Sequence, residues 1–117
     1  MDSKKLALLC RDLADNKKAE NLVILDVRKL SSVTDFFVIA TGSSEPHLRA
    51  IVTEISDRLK PSAVEGDSAG AWVVLDFFDV IVHVMRAEAR EKYSLEDLWS
   101  DAPSVQPRRV KAAPVAG

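Results

Sequence analysis

The chain has 117 residues, 47% of them apolar and 29% charged, with a single cysteine, Cys10. That is the make-up of one ordinary globular domain, too short for two, and one cysteine excludes both an internal disulfide and a cysteine-based zinc finger. Sixteen Lys and Arg against eighteen Asp and Glu leave a net charge of −2, which argues against a strongly basic nucleic-acid binder, and neither a run of roughly 20 apolar residues nor an apolar signal region is present, so a cytoplasmic protein with no membrane contact is expected.

The total hides a pattern. Residues 1–64 carry 10 bases and 9 acids, residues 65–101 carry 3 bases and 9 acids, and residues 102–117 carry 3 bases and no acid. A near-neutral first half is thus followed by an acidic block and a short basic tail.

In chain order, Leu6, Leu9, Cys10, Leu13 and Ala14 recur at the spacing of a helix with one buried stripe over residues 2–19. Cys10 lies on the stripe and reads as a core thiol. The runs LVILDV (22–27) and FFVIAT (36–41) are rich in β-branched and aromatic residues and read as buried strands joined by a polar loop. After Gly42, Ser43 or Ser44 can cap a helix whose stripe is Leu48, Ile51, Val52, Ile55 and Leu59 and which Pro61 stops. Residues 62–71, with Gly66 and Gly70, read as a loop. Two further strands follow at 72–77 and 80–85, then a pair of short helical turns over 87–99, the second opened by Ser94 with Asp97 three residues on, as in a capping box. Beyond residue 100 the chain is rich in proline, small and basic residues and is expected to be mobile unless a partner holds it. The expected architecture is a single small α/β domain over residues 1–100, a mixed β-sheet flanked by helices, with a flexible tail at 101–117.

The hairpin at 72–85 carries most of the functional signal. With Phe77 and Phe78 as the turn, Trp72 faces His83, Val74 faces Ile81 and Asp76 faces Asp79. One face is then purely aliphatic (Val73, Leu75, Val80, Val82, Val84), while the other combines Trp72, Val74, Ile81 and His83 with two acids. Such a mixture suits a contact surface, where aromatic anchors are favoured and paired carboxylates call for a cationic partner. It would also arise if a helix of the same chain covered Trp72 and Val74 and left the acids in water.

Catalytic chemistry finds little support. The turn at 42–45 before a helix could bind an anion, but it has neither the P-loop pattern nor the dinucleotide fingerprint. A nucleotidyltransferase would need a pair of metal-binding acids on the next strand, and the following segment is helical and lacks them. His47, His83, Cys10, Asp76 and Asp79 are not arranged as a nucleophile and base or as a metal site. No catalytic residue, cofactor or metal is expected.

Three blocks, SVTDFFVIATGSS (32–44), WVVLDFFDVIVHV (72–84) and EAREKYSLEDLW (88–99), in this order and spacing, resemble the ribosomal silencing factor family, also called RsfS or iojap-like. The resemblance covers about residues 5–101; Phe78 departs from it, since relatives often carry glycine there. It implies a nucleotidyltransferase-like fold without the catalytic acids. It also implies a protein that is a homodimer when free and binds the large ribosomal subunit through ribosomal protein number fourteen. Such a protein blocks joining with the small subunit and lowers translation when nutrients are scarce.

On the face argument, Trp72 and Val74 would supply the apolar anchor, Asp76 and Asp79 would pair with Lys or Arg of the partner, and Arg90, Tyr93 and Leu95 would complete the rim. An acidic, aromatic-centred patch favours a basic ribosomal protein over anionic RNA. The tail, with Arg108, Arg109 and Lys111, offers at most a minor ribosomal RNA contact. The alternatives are a nucleotide-handling enzyme or ribosome-assembly factor using the turn at 42–45, or a Trp72 patch that serves as the homodimer surface.

Overall fold

The structure, a computed structural model, describes residues 2–105. Helix α1 (Ser3–Asn16) starts where the Asp2 side chain accepts from Lys5 N–H, and it buries Ala7, Cys10, Leu13 and Ala14. Strand β1 (Glu20–Asp26) leads to β2 (Phe36–Gly42). Helix α2 (Glu45–Leu59) is capped by Ser44, whose hydroxyl accepts from His47 N–H, and buries Leu48, Ile51 and Ile55. Complete burial of each of these aliphatic side chains contributes about 1.5–3 kcal/mol.

Next come β3 (Ala63–Asp67), a 3-10 turn (Ser68–Gly70), β4 (Trp72–Asp76), β5 (Val80–Arg86) and the short helices α3 (Ala87–Tyr93) and α4 (Leu95–Leu98). The strands form one mixed sheet in the order β1-β2-β5-β4-β3, with β2 and β5 parallel at its centre and every other pairing antiparallel. Both helices α1 and α2 cover one face, meeting Phe36, Val38, Ala40, Val73, Leu75, Val80, Val82 and Val84 in the main core. The aliphatic face expected of the hairpin is therefore the core face. On the other face α3, α4 and the segment up to residue 102 cover Leu25, Ile39 and Met85, and leave the β4 side open.

Four expectations need correction. The segment read as a loop contains β3, an exposed edge strand whose side chains give no alternation signal because none is buried. It is held to β4 through its backbone, and Gly66 (φ 81°) permits this, since a Cβ there would lie 2.3 Å from the Trp72 carbonyl oxygen. The hairpin register is also shifted: Val74 pairs with His83, Asp76 with Ile81, and Trp72 with Met85. The turn is centred one residue further on, at Phe78 and Asp79, with Phe77 N–H bonded to Val80 O, Phe78 at φ 70°, and Asp76 Oδ1 accepting from Phe78 N–H. A shift of two in the pairing sum keeps each residue on its face but moves Asp79 off the strand, so Asp76 and Asp79 do not face each other.

Ser94 does not form a capping box. It adopts φ 46° between α3 and α4 and its hydroxyl donates to Glu91 O. Finally, hydrogen bonding runs past residue 100. Asp26 N–H donates to Pro103 O, Val105 N–H donates to Ile24 O, and Ser104 bridges Leu25, which covers the outer edge of β1. The remainder of the tail, with Arg108, Arg109 and Lys111, lies outside the described residues.

Candidate functional site: an aromatic groove on the open sheet face

The period of two in β2, β4 and β5 places Phe37 and Ile39, Val74 and Asp76, and Ile81 and His83 on the face opposite α1 and α2. Register then aligns them across strands. Phe37, Ile81 and Asp76 form one row, and Ile39, His83, Val74 and Glu65 the next. Leu95 and Trp99, from the α4 region, wall the other side, and together these residues line a groove of about 300 Å³.

The groove is bounded by a chain of ring contacts. Tyr93 lies 4.7 Å from Trp72 between centroids, Trp72 5.9 Å from His83, His83 5.5 Å from Phe37, and Phe37 5.2 Å from Trp99. Tilted aromatic pairs at these separations add about 0.5–1.5 kcal/mol each beyond area burial, so the row is a stiff platform. The Trp72 indole N–H donates to His83 Nδ1 at 3.0 Å. Burial pushes the His83 pKa down to about 4, which keeps the ring neutral. The acids on the lining are Asp76 and Glu65.

Of the residues expected at the site, the fold brings Trp72, Val74, Asp76, Tyr93 and Leu95 to this surface. Asp79 is separate, exposed in the hairpin turn, where its carbonyl accepts from Asp35 and Phe36 N–H. Arg90 points inward. Its guanidinium makes two bonds to Glu96 (3.2 and 2.8 Å), one to Thr41 Oγ1 (2.8 Å) and one to the Asn21 carbonyl, which ties the α3–α4 turn to the bulge in β1. These bonds hold the Glu96 carboxyl below its usual pKa. Arg90 thus latches α4, and with it Leu95 and Trp99, onto the sheet.

Six groove residues are not among those the sequence singles out: Phe37, Ile39, Glu65, Ile81, His83 and Trp99. Ile81 and His83 were already on the mixed face, and the alternation of FFVIAT sends Phe37 to the same side. Glu65 carries no signal in the sequence, because no side chain of its strand is buried.

The turn at 42–45 is committed internally. Ser43 N–H donates to His47 Nδ1 at 2.8 Å, His47 N–H donates to Ser44 Oγ, and His47 Nε2 bonds the Lys17 carbonyl, which staples α1 to α2. A Cβ at Gly42 would meet the Leu48 backbone at 2.8 Å, so glycine serves close packing here.

Residues 1–116 match the family model described as ribosomal silencing factor during starvation. The chain belongs to the ribosomal silencing factor family. The ribosomal silencing factor RsfS of Halalkalibacterium halodurans is 37% identical over 111 residues, covering 91% of this chain and 95% of its own. A crystal structure from Chromobacterium violaceum superposes with a TM-score of 0.82 at 29% identity, covering 92% of each chain. The mouse protein named mitochondrial assembly of ribosomal large subunit protein 1 is 33% identical over 96 residues, 75% of this chain and 42% of its own. As a ribosomal silencing factor, this α/β domain is a ribosome-associated translation repressor, in a family not known for catalysis. No helix among its described residues is long and apolar enough to cross a membrane.

Proposed function

We propose that the chain binds the large ribosomal subunit through ribosomal protein number fourteen and sterically blocks joining with the small subunit, lowering translation under nutrient limitation in the cytoplasm. The observation that carries the reading is the groove: an aromatic platform left uncovered on the sheet, with Glu65 and Asp76 on its lining. Trp72, Val74, Tyr93 and Leu95 supply the apolar anchor. Asp76 meets Lys or Arg of the partner, with Asp79 at the hairpin end, and Arg90 contributes by holding α4 in place. Ribosomal proteins are basic and RNA is anionic, so the carboxylates attract the first and repel the second. The basic tail adds a minor ribosomal RNA contact, and the free protein is a homodimer. The name of the mouse relative favours a second reading, in which the same face serves assembly of the large subunit.

Gradient sedimentation tests this. The protein is expected to co-migrate with mature large subunits, and Val74→Arg, which sets a cation on the groove floor, to abolish co-migration while remaining folded. Absence of wild-type protein from the large-subunit peak refutes the reading; binding confined to immature particles favours assembly.

A further inference from the structure

His83 carries more information than its place in the aromatic row. An indole nitrogen can only donate, so the Trp72–His83 bond requires Nδ1 to be the bare nitrogen and places the single imidazole proton on Nε2. With the pKa near 4, a second proton does not arrive at physiological pH. Phe37 and Trp72 contact the ring within 6 Å, and no described residue takes its Nε2–H. The groove lining therefore offers a neutral donor of fixed tautomer among the carboxylates of Glu65 and Asp76.

Resting on the partner-face reading above, we propose that His83 is a partner-binding residue whose Nε2–H takes a backbone carbonyl of a basic protein segment, while Glu65 and Asp76 select that segment by holding its Lys or Arg. A phosphate could accept from His83 but is repelled by the carboxylates. An apolar or acidic segment can offer a carbonyl to His83 but leaves the carboxylates of Glu65 and Asp76 without a cation, and a desolvated polar group left unpaired is penalised more than a made bond is rewarded. Trp72 acts here as a positioning residue for the tautomer.

The test uses isolated ribosomal protein number fourteen as the probe, calorimetry on wild type, His83→Gln and His83→Phe, and nitrogen-15 spectra of the imidazole. Glutamine can accept from Trp72 and still donate into the groove; phenylalanine can do neither. His83→Phe is expected to weaken binding about tenfold, the equivalent of one net hydrogen bond, and His83→Gln by less than about threefold. The spectra should show Nε2–H in the free protein, with that proton shifted and protected from exchange in the complex. An Nδ1–H tautomer, or equal weakening by both variants, overturns the inference. If wild type and His83→Phe bind equally well, only the inference falls; if wild type does not bind at all, the partner-face reading falls with it. Should His83→Phe not fold, His83→Gln and the spectra still decide.

Discussion

Arg90→Ala tests the reassignment of this residue from rim contact to latch. The Arg90 side chain is 10% exposed and that of Glu96 39%. Because Glu96 is substantially solvated, the ion pair contributes about 0.5–1 kcal/mol. Removing the guanidinium also leaves the buried Thr41 hydroxyl and the Asn21 carbonyl without this donor, which costs about 1–3 kcal/mol. The expected loss is about 2–3 kcal/mol, or about 10–15 °C in Tm for a domain of this size. Arg90→Lys keeps the charge but not the bidentate geometry and should lose about half as much. Urea titration followed by circular dichroism measures both. The acid limb gives an independent check. The folded pKa of Glu96 lies below its unfolded value, so its stabilisation is present above the unfolded pKa of about 4.3 and is lost as pH falls through the folded value. In Arg90→Ala that part of the acid limb should disappear. A stability change under about 0.5 kcal/mol with an unaltered acid limb would refute the latch.

Three further outcomes follow from other parts of the fold. Gly66→Ala combines a left-handed φ with a Cβ 2.3 Å from a carbonyl oxygen, so it should cost more than about 2 kcal/mol and remove exchange protection from β3; a change within 0.5 kcal/mol would contradict the observed β3–β4 pairing. Burial pushes the Cys10 thiol up to about 12, so thiol reagents should label it only as fast as the protein opens, and rapid labelling of the native state would show that the α1 stripe is not core. His83 titrates near 4 when folded and near 6.5 when unfolded, so the unfolded chain binds the extra proton between these values and stability should fall as pH drops through this window. Urea midpoints at pH 7 and pH 4.5 should differ less for His83→Gln than for wild type; identical differences would contradict the neutral, buried imidazole.

Much of this structure was legible in the sequence because burial imposes a period. Helices α1 and α2 and the central strands β2 and β5 each carry an apolar stripe or run, and all of them appear close to the expected positions. The mixed character of the Trp72–Val74–His83 face was legible for the same reason, since alternation survives even when the register is shifted by two. What was missed depends on backbone rather than on side-chain pattern. Strand β3 is fully exposed and pairs through its amides, and the hairpin turn is set by the Asp76 side chain bonding to Phe78 N–H. Arg90 in a charged helical stretch looks like a surface residue; only the fold reveals Thr41 and Asn21 beneath it. The groove itself needed α4 folded back over the sheet, because Trp99 is 62 residues from Phe37 in the chain yet packs against it in a tilted ring contact.

The most direct test of the central claim is light-scattering measurement of joining between purified small and large ribosomal subunits, titrated with wild-type protein and with a folded Val74→Arg, Glu65→Lys double variant. Wild type is expected to suppress the joining signal in a saturable manner, and the variant to leave it at the level seen without added protein. Undiminished joining with wild type, or full suppression by the variant, would contradict that claim.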